Sequence, residues 1–206
     1  MSENNYLFVD GSSLLGDINR LWNDRPAFRD NRLIVSRFQY HFTRFYPAFV
    51  NGYKRFSFYF VEKENRTKKY IDLPNFTNPG EVEDIHIKHC GALLPGSKKF
   101  QNWIEGNSPP QVVMDRLNKA EKAVDTQICC DALQLAGLGK LDRLMLYTND
   151  YDFMPLLDTM KAFGCNVSLF QLTSKDVNKK LVANCDSYHV PDAQRLLHMF
   201  GLKDEN

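Results

Sequence analysis

Apolar and polar positions along the chain keep switching between the spacing of a strand and the spacing of a helix. Tyr6-Leu7-Phe8-Val9 is a short apolar run ending at Asp10-Gly11, the pattern of a buried strand entering a turn. Ser12 and Ser13 precede Leu14, Leu15, Ile18, Leu21 and Trp22 at helical spacing, so a helix with a serine cap is expected. An apolar and aromatic stretch over 32–50 reads as a second helix, kinked or ended just before Pro47. Phe56, Phe58 and Phe60 alternate with other residues over 55–61, which predicts a strand. A further strand is expected within 84–94. Two stretches, 62–80 and 95–118, carry prolines, glycines and polar residues and read as irregular insertions.

The second half is more regular. Helices are expected over 124–138, 152–163, 174–184 and 192–200, with Ser174 as the cap of the third. Strands are expected over 141–147, 166–170 and 187–190. Gly137 and Gly139 stand where the first of these helices must stop, and Gly164 where the second must. Strand and helix in alternation predict an α/β fold: a three-layer sandwich around a central, mainly parallel sheet, in one domain of 206 residues.

Composition adds little: 43% hydrophobic and 25% charged residues describe an ordinary globular domain. The net charge of +1 means that a nucleic-acid partner needs a local basic patch. Lys63, Arg66, Lys68 and Lys69 form one candidate and Lys98-Lys99 another, though a solvated loop explains either equally well. The first residues, MSENNYLFVDG, lack the basic start and apolar run of a signal peptide, and no stretch is long enough to span a membrane. Five cysteines without a CxxC pair fit a reducing, cytoplasmic compartment.

Two of the apolar strands end in acid. One reaches Asp10, and the other runs through Tyr147 into Thr148-Asn149-Asp150-Tyr151-Asp152. In parallel sheets ligands bind outside the carboxyl ends of the strands, so these acids are expected to share one sheet edge. Asp152 also opens the next predicted helix, where an anion is tolerated. Asp125 joins them only if the irregular 95–122 segment carries its helix start to that edge. Crowded carboxylates repel one another unless a cation joins them. All-oxygen donors favour Mg²⁺ or Mn²⁺ over zinc, and such an ion assists phosphodiester hydrolysis. Singly, Asp10 also suits a plain turn, Asp152 a helix cap and Asp125 a solvated first-turn acid; their joint placement favours a site. Asp131 lies six positions beyond Asp125, about 240° around a helix, so it is expected to support the site or the fold.

Two related patterns fail. A metal-dependent adhesion site needs a serine where Leu14 stands, and a haloacid-dehalogenase phosphatase needs aspartate where Ser12 stands. His86, His89 and Cys90 faintly resemble a zinc site, but on a strand the two histidines face opposite sides. Phe38, Tyr40, Phe42, Phe45, Tyr46 and Phe49 suit base stacking, and equally a core or an oligomer interface.

Three blocks resemble the NYN domain, a branch of the PIN-like nuclease superfamily. Leu7-Phe-Val-Asp10-Gly-Ser-Ser-Leu14 is similar to the family's first strand, hydrophobic-hydrophobic-Asp-Gly-x-Asn. Lys122-Ala-Val-Asp125, with the helix running to Asp131, is similar to its Lys-Gly-Val-Asp block. Thr148-Asn-Asp150-Tyr-Asp152-Phe-Met-Pro155-Leu is similar to its Ser-Gly-Asp-x-Asp-Phe-x-Pro-Leu block. The resemblance implies a PIN-like fold, a Mg²⁺ or Mn²⁺ centre on Asp10, Asp125, Asp150 and Asp152, and ribonuclease activity on RNA. Ser12, Ser13, Lys122, Asp131, Thr148 and Asn149 would contact substrate or support the acids. Ser13 departs from the family's asparagine. With the near-neutral charge, that departure keeps a regulatory or RNA-binding module with a vestigial site as the alternative, beside a nuclease for DNA or flaps. A homo-oligomer is compatible with this reading.

Overall fold

The computed structural model describes residues 4–24, 28, 55–60, 85–89, 106, 124–175, 177–199 and 202. The predicted helix over 32–50 and its aromatic set, the two basic segments, most of both insertions, Cys90 and Lys122 lie outside them.

Six parallel strands form one sheet: β1 (Asn5–Asp10), β2 (Arg55–Phe60), β3 (Ile85–His89), β4 (Arg143–Tyr147), β5 (Asn166–Phe170) and β6 (Ser187–His189). Their order is β3-β2-β1-β4-β5-β6. The chain moves outward from β1 to β3, returns to the centre as β4, and moves outward the other way. β1 and β4 therefore flank the point where the direction reverses, and parallel α/β sheets bind ligands outside the carboxyl ends of the strands at such a point. Asn5 to Asp10 are buried at every position, as a central strand covered on both faces must be.

The helices are α1 (Gly11–Asp24), α2 (Val124–Gly137), α3 (Met154–Ala162), α4 (Lys179–Ala183) and α5 (Ala193–Met199). On one face of the sheet, Tyr6, Phe8, Tyr59, Leu144, Leu146, Val167 and Leu169 meet Val124, Ile128 and Ala132 of α2 and Leu156, Leu157 and Met160 of α3. The Phe8 and Tyr59 rings meet edge to face at 5.4 Å. On the other face, α1 buries Leu14, Ile18 and Leu21, and its Asp17 bonds to Tyr147 of β4. Leu144, Leu146 and Leu169 are wholly enclosed, so truncating one to alanine should cost about 2–5 kcal/mol. Among the described residues no helix is long and apolar enough to cross a membrane.

Element ends differ from the sequence expectation in instructive ways. The first helix starts at Gly11, and Asp10 accepts the Ser12 amide at 3.0 Å, so the aspartate is the cap and the serines lie inside the helix. The predicted helix from 152 begins instead as a tight turn, Tyr151–Phe153, capped by Asp150 through the Asp152 amide. The helix expected from Ser174 starts at Lys179, because Asn178 caps it through the Lys180 and Leu181 amides. Gly139 (φ 62) and Gly164 (φ 80) adopt the left-handed backbone just after α2 and α3, as expected of helix stops.

Candidate active site

Asp10 ends β1 and is only 2% exposed. Its Oδ1 accepts the Ser12 amide at 3.0 Å and the Ser12 hydroxyl at 2.8 Å. Its Oδ2 accepts the Ser13 hydroxyl at 2.6 Å and the Thr148 hydroxyl at 3.1 Å. A carboxylate offers about four acceptor positions, and these donors replace the hydration lost on burial. Parallel pairing of Val9 with Tyr147 is what brings Thr148 alongside Asp10. The join is local on one side, where α1 begins at once after β1, and depends on a neighbouring strand on the other.

The same hydroxyls fix the loop after β4. Ser13 accepts the Asn149 amide at 3.1 Å, and Thr148 accepts the Asp150 amide at 3.0 Å. Gln171, the buried residue after β5, donates to the Thr148 carbonyl at 2.8 Å and to Asn149 Oδ1 at 3.2 Å. Asn149 Oδ1 also accepts the Asn178 amide at 2.9 Å, and Tyr188 of β6 donates to Gln171 Oε1 at 3.1 Å. Three successive strand ends are thus tied to one loop. Gln171 and Asn178 were not among the sequence candidates. The signals were present: a polar residue closing an apolar strand, and an asparagine in cap position before Lys179-Lys-Leu-Val.

The structure joins Asp10, Ser12, Ser13, Thr148 and Asn149 in one hydrogen-bonded cluster, with Asp150 and Asp152 exposed on the turn that follows. Asp125 lies half-buried in the first turn of α2. Asp131 accepts the Tyr59 hydroxyl at 2.7 Å and the Gln127 amide at 2.9 Å, tying α2 to β2. Carboxylates and hydroxyls with no histidine or thiol among them suit a hard divalent cation. Their grouping is looser than a finished cage. Among the described residues no three Asp, Glu, His or Cys side chains are grouped to hold a metal ion. Asp10 is wrapped by hydroxyls, and Asp150 turns one oxygen onto the Asp152 amide.

A second buried acid supports the edge from α1. Asp17 accepts the Tyr147 hydroxyl at 2.6 Å and Arg20 at 2.9 Å. Burial raises its pKa above the usual carboxylate range, against the lowering effect of Tyr147, Arg20 and the Leu172 amide. Tyr147 accepts the Leu172 amide at 3.2 Å, so this pair also holds the chain after β5. Burial first, and then the Asp17 charge, push the Tyr188 hydroxyl up to about 12.

No curated protein matches the chain. Among solved structures, the crystal structure of a protein of unknown function, VPA0982, from Vibrio parahaemolyticus RIMD 2210633 is similar. The alignment covers 93% of this chain and 95% of that one, at 14% identity and a TM-score of 0.54. Likeness at that identity speaks for the fold alone. The NYN domain model matches residues 7–192, from within β1 to the residue before α5, and so spans every acid of the candidate site. With that span and a parallel α/β fold whose strand order reverses between β1 and β4, the chain belongs to the NYN domain family, a family of PIN-like, nuclease-like domains.

Proposed function

We propose that this protein is a metal-dependent ribonuclease that hydrolyses RNA phosphodiester bonds at the β1–β4 edge. The observation that carries the reading is the placement of Asp10 at the end of β1, with Asp150 and Asp152 exposed on the turn after β4, at the strand ends where ligands of parallel sheets bind. PIN-like domains typically use divalent metals, and the oxygen donors here suit Mg²⁺ or Mn²⁺. Asp10, Asp125, Asp150 and Asp152 would hold the ion. Bound there, it would supply positive charge for the phosphoryl oxygens and for an attacking water. Ser13 and Thr148 orient Asp10, and Asn149 sets the path of the backbone into Asp150. The free thiols of Cys129, Cys130, Cys165 and Cys185 agree with a reducing, cytoplasmic setting.

Purified protein with Mn²⁺ is expected to cleave RNA from a panel of single-stranded and structured substrates. Asp150→Asn should abolish cleavage while keeping the turn, because an asparagine oxygen can still accept the Asp152 amide. Equal behaviour of wild type and variant across the panel sinks the enzyme reading. One observation favours a second reading, a non-catalytic regulatory or RNA-binding module: the acceptor positions of Asp10 are filled by the chain's own donors, and no three described acids are grouped. Thermal melts separate the two. Binding at a hundred times Kd stabilises by about 2.7 kcal/mol, and no shift with either ion supports the second reading.

A further inference from the structure

We propose that Tyr151 and Lys180 form a subsite for a single-stranded nucleic acid, in which one base stacks on the Tyr151 ring and Lys180 meets its backbone. The subsite deepens the nuclease reading above and rests on it for the identity of the chemistry next door. Tyr151 stands between Asp150 and Asp152 and is 45% exposed. A tyrosine ring lying that open beside a polar site leaves aromatic surface available to a ligand. Its hydroxyl has no hydrogen-bond partner among the described residues.

The ring is presented by fixed backbone. Its turn is capped by Asp150, and Phe153, two residues on, is buried in the core shared with α2 and α3. Lys180 Nζ lies 5.7 Å from the ring centroid, within cation–π reach. Lys180 is exposed and makes no ion pair among the described residues, whereas Lys175 is neutralised by Asp24 at 2.8 Å. The two residues are also held in relation to each other, since the Asn178 amide that precedes α4 is bonded to Asn149 Oδ1. Asp150 and Asp152 repel a phosphodiester. An aromatic face and an exposed ammonium with no carboxylate partner among the described residues supply attraction that needs no metal. Every base has a π-face, so such a platform takes single strands with little sequence preference.

Binding of a fluorescent single-stranded RNA oligomer to the full chain in EDTA tests the subsite apart from catalysis. Tyr151→Ala is expected to weaken affinity roughly 5- to 150-fold, the loss of one stacked base. Tyr151→Trp should bind at least as well as wild type. Lys180→Ala should flatten the dependence of log K on log salt by about 0.7. If Tyr151→Ala lowers Tm and leaves affinity unchanged, the pair serves only the fold and the subsite is overturned. Binding that depends on Tyr151 in a protein that never cleaves RNA with Mn²⁺ keeps the subsite and removes the nuclease reading. Cleavage with Tyr151→Ala unchanged in both affinity and KM does the reverse. A wild type that neither binds nor cleaves overturns both.

Discussion

Gln171 donates its side-chain amide to the carbonyl of Thr148 at 2.8 Å, so the residue that closes β5 fixes the loop that follows β4. The contact is buried on both sides, and the same amide reaches Asn149. Gln171→Leu keeps the volume and removes the donor. An orphaned buried carbonyl costs about 1–3 kcal/mol, and at this chain length each kcal/mol lowers Tm by roughly 2–4 °C. Cleavage should fall with it, since Asp150 hangs from the same loop. A melt indistinguishable from wild type would show that the loop holds itself.

Ser13 bridges Asp10 and the Asn149 amide. Ser13→Ala removes one donor to a buried carboxylate and one acceptor for the loop, and should destabilise by about 1–3 kcal/mol. Ser13→Asn carries both a donor and an acceptor and is expected to fold and to keep measurable cleavage. If the alanine variant instead cleaves as well as wild type, Ser13 has no part in holding the acid. Steady-state kinetics beside urea denaturation read both effects.

Asp131 accepts the Tyr59 hydroxyl and the Gln127 amide, bonds that hold α2 against β2. Asp131→Ala should therefore lower stability by about 1–3 kcal/mol, by removing the acceptor of the buried Tyr59 hydroxyl. It should change kcat/KM little under conditions where the protein stays folded. A collapse of kcat at full stability would place Asp131 at the reacting centre.

Asp17 predicts a pH signature with a definite sign. Its carboxyl is raised in the folded state, chiefly by burial, so the folded protein holds that proton more tightly than the unfolded chain. Its contribution to stability is greatest below the ordinary aspartate value of ~3.9 and declines as pH rises through the raised folded value. Asp17→Asn still accepts from Tyr147 and carries no charge to desolvate. The stability of Asp17→Asn relative to wild type should therefore increase from acid toward neutral pH. Chemical denaturation at several pH values measures it, and a difference that stays constant with pH contradicts it.

Much of this protein was legible in the order of its residues. Strands at β1, β2, β4 and β5 follow from apolar runs and alternation, because burial on both faces demands them. Asp10, Asp150 and Asp152 followed from where those runs end. The NYN resemblance came from three short blocks, since side chains at strand ends are constrained locally. What only the tertiary structure decided lies between segments far apart in the chain. That Asp10 meets Thr148 depends on β1 pairing with β4 across 138 positions. That Asp150 and Asp10, rather than the residues after them, do the capping depends on which backbone amides the fold leaves unpaired. The late start of α4, at Lys179 rather than Ser174, follows from the Asn178 amide being held by Asn149, a bond across 29 positions. Local pattern sets which residues prefer a strand, a helix or a turn; long-range hydrogen bonds choose among the starts that preference leaves open.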